Sequence, residues 1–352
     1  MSLELAWFAA LCDDDYEQLG VPDPSLASSY EHCLDIVQTA DRAGFDSILM
    51  PSGYTLGIDT VAFTAAVARQ TERISPIVAV RMGELWPPQL ARQLATLDHL
   101  LQGRMVVNII SSEMPGEQLA SAPRYTRTLE YMQALRTLLN GESLHAAGDF
   151  VHLDVDPPRL RTTSGTCPPL YFGGLSDDAR EVAAAAADVY LMWPDTLDGV
   201  AAIIADMRQR AAAHGRTLRF GYRVHVVMRP TEAEARAAAE QLVAALDPEV
   251  GEAIRARSLD STSVGVRAQA ELRDASDPHG YIEPHLWTGI GRARSGCGAA
   301  IVGDPQQVAD KIRTYQSLGI DTFILSGYPH RRECERFAEL VMPLLRDTTA
   351  TP

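Results

Sequence analysis

Three short stretches carry side chains suited to polar chemistry in a confined space. In Arg223-Val224-His225, period-two alternation puts a permanent cation and a titratable imidazole on one strand face and Val224 on the other. If that face points into the fold, the charge is expensive unless an anion binds there. If it points outward, the pair is a partly exposed strand end with a local salt bridge. Arg292-Ala293-Arg294-Ser295-Gly296-Cys297-Gly298 is a Gly-rich turn with two arginines, whose guanidinium groups match sulfonate or phosphate oxygens bidentately. Taken alone it also reads as an ordinary surface loop. The apolar run Ile320 to Leu325 stops at Ser326-Gly327-Tyr328-Pro329-His330, which leaves a phenol and an imidazole just beyond a strand.

Two further stretches suit a polar cofactor. Tyr171-Phe172-Gly173-Gly174-Leu175-Ser176-Asp177 is a strand, a Gly pair and a Ser at a helix N-cap position. The free N–H groups and helix dipole at such a turn attract phosphate. Asp177 and Asp178 oppose a dianion, however, and a plain capped helix is the simpler reading. Asn108-Ile109-Ile110-Ser111-Ser112 ends another strand with small polar groups, and Arg124-Tyr125 begins the next helix. No metal-ligand spacing stands out among the nine histidines, and no GxSxG or P-loop is present.

The elements that must position these groups alternate along the chain. Strand-like runs fall at 3–9, 46–50, 74–81, 104–110, 170–173, 189–193, 218–228 and 320–325. Helical runs fall at 30–43, 59–70, 88–101, 125–139, 177–187, 197–213, 231–246 and 306–317. A hairpin is expected at 144–153. Eight strands separated mostly by helices predict an α/β protein, a (β/α)8 TIM barrel with insertions, as one domain over 1–352. A doubly wound sheet is the alternative, but no GxGxxG follows the first strand. Residues 247–284 break the rhythm with Ser, Asp and Gly clusters. They read as a mobile lid in preference to a passive insertion.

Composition bounds the partners. The chain of 352 residues is 46% hydrophobic, enough for a large core. Its formal charge of -15 argues against nucleic acid and anionic membranes. Lys311 is the sole lysine, so nearly every cation is arginine. Five cysteines with no CxxC pair suggest a reduced, cytoplasmic protein. Neither a signal-peptide pattern nor an apolar run of membrane-spanning length is visible.

Taken in order, several motifs resemble the bacterial-luciferase superfamily, and within it the two-component alkanesulfonate monooxygenases. They are Ala6-Trp7-Phe8, Ala91-Arg92-Gln93 with Ala95-Thr96-Leu97-Asp98, Pro168-Pro169-Leu170-Tyr171-Phe172-Gly173-Gly174, Ala213-His214-Gly215-Arg216, Arg223-Val224-His225-Val226, Leu286-Trp287-Thr288-Gly289, Ala300-Ile301-Val302-Gly303-Asp304 and Ser326-Gly327-Tyr328-Pro329-His330. The resemblance implies a barrel that receives reduced FMN from a separate NAD(P)H-dependent flavin reductase. In the family, O2 adds to the flavin, and attack on a sulfonate releases sulfite and an aldehyde. The matching positions imply that Arg223, His225, Arg294 and Tyr328 line the active site. They also imply that Tyr125 and the Gly174-Leu175-Ser176 turn hold the FMN phosphate and that Trp193 lines the flavin pocket, and Asn108 joins the expected cofactor ligands. A homo-oligomer acting on a small organosulfur substrate is expected.

Two positions depart from the family pattern. Leu56 stands where a cysteine is common, and Cys12 where a histidine is common. They leave the flavin chemistry intact but open the substrate to a sulfone or another carbon skeleton. A deazaflavin-dependent oxidoreductase and a non-enzymatic flavin binder are the further alternatives.

Overall fold

The computed structural model of the chain describes residues 3–53, 57–117, 119–256, 263–294 and 296–346. Its centre is a closed barrel of eight parallel strands. These are β1 (Glu4–Phe8), β2 (Ser47–Met50), β3 (Ser75–Arg81), β4 (Val106–Ile110), β5 (Leu170–Gly173), β6 (Val189–Met192), β7 (Arg219–Met228) and β8 (Thr322–Ser326). Each strand pairs with the next, and the pairing of Glu4 with Thr322 closes the ring between β1 and β8. The eight strand-like runs of the sequence are these eight strands.

The strands are short and apolar because both faces are covered. Every residue of β2 and β8 is buried. Inside the barrel, Ala6, Phe8, Leu49, Ile77, Tyr171, Val189 and Ile324 pack as one cluster, while a larger core lies between the strands and the outer helices. Side-chain caps start many of the helices: Ser29, Asp59, Ser176, Thr196, Thr231 and Asp304 each accept a hydrogen bond from the N–H three residues on. Helix Ser121–Leu139 begins four residues before the expected Tyr125. Pro123 is tolerated there because first-turn N–H groups have no intrahelical partner. Helix His330–Leu340, which follows β8, was not anticipated.

β7 is twice as long as most of its neighbours. Its first half pairs with β6, and its second half pairs on that side with a short strand, Ala300–Gly303. The wall is thereby raised at the carboxyl end, where Ser326 of β8 and Ala300 flank His225. The segment expected to be a lid contains helices Pro248–Ala256 and Val264–Asp274 and the strand Tyr281–Glu283. Residues 257–262 of it, like Leu56, lie outside the described residues. Gln269 of the second helix is buried. It donates to the Pro194 carbonyl at 2.7 Å and accepts from the Gly298 N–H at 3.0 Å, so the helix is tied to the barrel mouth. Among the described residues no helix is long and apolar enough to cross a membrane.

The amino-terminal end of the barrel is closed by a polar network. The Glu4 carboxylate accepts from Ser47 Oγ at 2.7 Å, Thr322 Oγ1 at 3.0 Å, Tyr171 Oη at 3.2 Å and Arg219 at 3.3 Å. Arg219 also pairs with Asp321 at 3.1 Å. One carboxylate thus ties five strands together, and the hydroxyl-bearing residues it serves are themselves buried. Glu4→Ala leaves those donors without an acceptor. It should lower unfolding free energy by about 2 kcal/mol, read from urea midpoints at constant m. An unchanged midpoint would remove this network from the barrel's support.

Candidate active site

At the opposite end lies a cavity of about 360 Å³. Asn108, Tyr125, Gly174, Leu175, Ser176, Trp193 and Arg223 all line it, so every residue expected to hold cofactor reaches one space. The residues present fit a flavin phosphate. Gly174 leaves the turn after β5 open: a Cβ there would sit 2.6 Å from the Ala179 Cβ and 3.6 Å from the Tyr125 hydroxyl. Ser176 caps helix Asp177–Ala186, accepting from the Ala179 N–H at 3.2 Å. Of the two carboxylates that would repel a dianion, Asp177 is paired with Arg210 at 2.6 Å, while Asp178 accepts from the hydroxyl of Ser121, itself in the cavity lining, at 2.9 Å. Arg124 adds a cation to the lining. The closed ring of Trp193 is covered by Gly265 of the lid segment, where a Cβ would meet the indole at 2.9 Å.

Beside this cavity, β7 and β8 present the polar cluster. Arg223 is 5% exposed, which settles the orientation of its strand face: inward. Its guanidinium is held by neutral acceptors, the carbonyls of Val224 at 3.0 Å and Ile324 at 3.4 Å and the Ser326 hydroxyl at 2.8 Å. It also lies 4.4 Å from the centroid of the Phe8 ring. Burial lowers its pKa, and Arg294 nearby lowers it further.

The same hydroxyl fixes the state of His225. Arginine can only donate, so Ser326 Oγ accepts from Arg223 and turns its own proton toward His225 Nδ1, 2.7 Å away. Nδ1 is therefore an acceptor, and the proton of the neutral ring is assigned to Nε2. Nε2 is buried and has no protein partner. Burial, then the charges of Arg223 and Arg294, hold the His225 pKa well below that of an ordinary imidazole.

Arg294 reaches in from the loop that precedes Ala300. It donates to Asp14 at 2.8 Å and to the Tyr328 oxygen at 2.8 Å, and its guanidinium lies 5.4 Å from the Phe8 centroid. Burial opposes its charge, but Tyr328 and Asp14 more than offset that and raise its pKa. Burial likewise raises the Tyr328 phenol despite the nearby Arg294, so it stays protonated. Its ring stacks on His225 with centroids 5.2 Å apart. Below it, the fully buried His330 is held through its backbone N–H and Nδ1 by Asp15, both at 2.9 Å, while His32 binds the other Asp15 oxygen.

The four residues expected at the catalytic end thus meet around Phe8 and Tyr328. Sequence reasoning missed Asp14, Asp15, Ser326 and Phe8. The signal available was Asp13-Asp14-Asp15 directly after the first strand, acidic residues in the one place where the cationic residues need partners. Cys12 is no substitute for an imidazole as a base: burial, reinforced by Asp14, pushes its thiol up to about 12.

The match to known proteins is extensive. A family model described as luciferase-like monooxygenase matches residues 7–322. The chain belongs to this family. A sulfoquinovose monooxygenase of Novosphingobium aromaticivorans is 63% identical over 347 residues, covering 97% of this chain and 96% of that one. Another sulfoquinovose monooxygenase, from Agrobacterium fabrum, is 51% identical over 346 residues, covering 97% and 90%. Among solved structures, a riboflavin lyase with modified FMN and riboflavin superposes with a TM-score of 0.83 at 18% identity, covering 100% of this chain and 93% of that one. At that identity the likeness speaks for the fold alone.

A luciferase-like monooxygenase with a buried neutral His225 should lose stability in acid. In the unfolded chain this imidazole takes a proton near pH 6.5, whereas in the folded chain it resists until lower pH. Stability is therefore intact above about 6.5 and falls as pH drops below it, by up to about 1.4 kcal/mol per pH unit for one proton. His225→Asn keeps a partner for Ser326 and lacks the titration, so it should show a shallower loss between pH 7 and 5 in urea unfolding. Parallel curves for the two proteins would refute a neutral, desolvated ring.

Proposed function

We propose that this monooxygenase uses reduced FMN and O2 to break the C–S bond of a sulfonated sugar, releasing sulfite and leaving an aldehyde at the carbon that bore sulfur. The observation that carries the reading is the pair of guanidinium groups, Arg223 and Arg294, gathered over Phe8 beside the cavity. Asp14 is the carboxylate paired with Arg294, and Arg223 rests on neutral acceptors, so the mouth holds excess positive charge. In a chain of formal charge -15 such a place suits an anion with several oxygens. The two sulfoquinovose monooxygenases support a sugar skeleton in place of the simple alkanesulfonate expected from sequence.

When bound, reduced flavin supplies the two electrons that activate O2; one oxygen atom ends in the aldehyde and the other in water. The chain's own groups act as donors. Arg223 and Arg294 hold the sulfonate and favour its departure as sulfite. Tyr328, which already accepts from Arg294, has its O–H left for an oxyanion, and His225 offers Nε2–H. Preorganised donors of this kind gain most where water is kept out. That is the role assigned to the lid segment 247–284, by closing over Trp193. A separate NAD(P)H-dependent reductase delivers the flavin, in the cytoplasm.

The test supplies sulfoquinovose, O2 and a flavin reductase with NADH and FMN, and measures sulfite. Stoichiometric sulfite from the sugar, and little from a panel of unsubstituted alkanesulfonates, is expected; absence of sulfite from every sulfonate would sink the proposal. Arg294→Ala should cut kcat/KM about 10²–10³-fold. Ser326→Ala, which frees the His225 tautomer, should lower kcat about tenfold or more while KM changes little. Wild-type rates in both variants would exclude the donor assignment.

A further inference from the structure

A second cavity, of about 230 Å³, opens next to the first and plays no part in the chemistry above. Its walls come from the two lid helices, Pro248–Ala256 and Val264–Asp274, from Gly291 of the turn Gly289–Arg292, and from Arg294 beyond it. The two spaces share a partition. Val264 and Gly265 line the first, while Val266 and Gln269 of the same helix line the second. At the inner end stands Arg294, which lines the second cavity and touches Tyr328 and Asp14 of the catalytic cluster.

The lining is polar and rich in guanidinium donors. Arg255 and Arg273 join Arg294, with Glu252 as the lining carboxylate, while Asp274 pairs with Arg273 at 3.4 Å and Asp14 with Arg294 at 2.8 Å. Both lid arginines are braced on the turn: Arg255 donates to the Arg292 carbonyl, and Arg273 to the Gly291 carbonyl at 3.0 Å. Each guanidinium has five N–H donors, so this bracing fixes its plane and leaves others for a ligand. Burial lowers the Arg255 pKa, and the neighbouring charge of Arg273 adds to it. The apolar part of the wall is small side chains, Ala256, Val266 and Ala270, which offer a long alkyl chain little area.

We infer that this cavity is the subsite for the hydroxylated body of the sulfonated sugar, with Arg255 and Arg273 donating to ring hydroxyls and Glu252 accepting from them. The inference rests on the proposed reaction for its orientation. With the flavin in the first cavity, the carbon bearing sulfur must lie near Arg223 and Arg294. The rest of the molecule then extends past Arg294 into the second space. A fixed guanidinium plane with a nearby carboxylate offers donors and an acceptor to adjacent hydroxyls, which is how a polar site separates a sugar from an alkane of the same charge. The lining is half-exposed apart from the buried Gln269 and Gly291, so its preference for a hydroxylated ligand comes from matched donors and an acceptor.

The test compares the parent with Arg273→Gln, Arg255→Gln and Glu252→Gln in two measurements. In the first, steady-state sulfite release is followed with sulfoquinovose and with propanesulfonate. The ratio of kcat/KM for the sugar over propanesulfonate should fall at least tenfold in Arg273→Gln, with smaller falls in the other two. In the second, titration calorimetry of sulfoquinovose into the oxidised FMN complex should show Kd raised at least tenfold in Arg273→Gln, while FMN affinity, read by fluorescence quenching, stays the same. An unchanged ratio, or an unchanged Kd for the sugar, overturns the subsite. If no sulfonate yields sulfite, the proposed reaction fails, and calorimetry still decides the subsite: weaker binding in the variants supports it, and absent or equal binding overturns it.

Discussion

A guanidinium sealed inside a barrel, with no carboxylate bound to it, constrains everything around it. Arg223 comes from the middle of β7, where the register sets Ile324 and Ser326 of β8 alongside it and His225. Taking such a charge out of water costs several kcal/mol before its contacts are counted. Two carbonyls, one hydroxyl and the face of Phe8 recover part of this. An anion bound there, as the proposed reaction requires, would relieve the remaining deficit, so its binding would be driven by a tension already built into the folded chain. The raised wall along the second half of β7 and the lid helices beside it follow from the same need, because the attraction is strong only while water is kept away.

The two ends of the barrel treat charge oppositely. At the amino-terminal end, Arg219 is matched by Asp321 and Glu4, and the hydroxyls of Ser47, Tyr171 and Thr322 find an acceptor. That end is electrostatically complete and serves stability. At the carboxyl end, cations outnumber the carboxylates paired with them, and His225 Nε2 is left without a protein partner. The division follows the general layout of such barrels, in which the carboxyl-end loops carry the chemistry and the other end holds the fold.

The barrel was legible because its signals are local. Most strands are short apolar runs bounded by Gly, Pro or polar residues, and many of the helices announce themselves with a capping side chain. Arg223 and His225 were legible for a similar reason, since alternation alone places them on one face. Ser326 was in plain view within Ser326-Gly327-Tyr328-Pro329-His330, yet its role depends on a register between strands a hundred residues apart. Asp14 and Asp15 follow the same rule: the acidic run after the first strand is visible in sequence, but only the fold shows that they face Arg294 and His330. The lid helices were hidden differently. Both are short, of nine and eleven residues, and Ser, Asp and Gly clusters flank them, so pattern reading saw only a polar insertion where the fold places two amphipathic helices.

The protonation states around the mouth favour one kind of chemistry. Burial raises Tyr328 and Cys12 and lowers His225, so the phenol and the thiol keep their protons and the imidazole stays neutral. Asp15, although burial alone would raise it, is held well below the carboxylate range by His330 and His32, and both its oxygens are occupied. Of the usual bases, then, the phenol and thiol are protonated, the Asp15 carboxylate is engaged, and the basic nitrogen of His225 is occupied by Ser326. What faces a ligand is chiefly a set of N–H and O–H donors on fixed planes, which stabilises negative charge on oxygen. Two buried atoms in the cluster lack a protein partner and could still take a proton: Asp14 Oδ1, and His330 Nε2, whose ring is anchored through Nδ1 to Asp15. Donors for a departing oxyanion therefore stand beside acceptors for a proton, an arrangement suited to releasing a group that is stable as an oxyanion, as sulfite is.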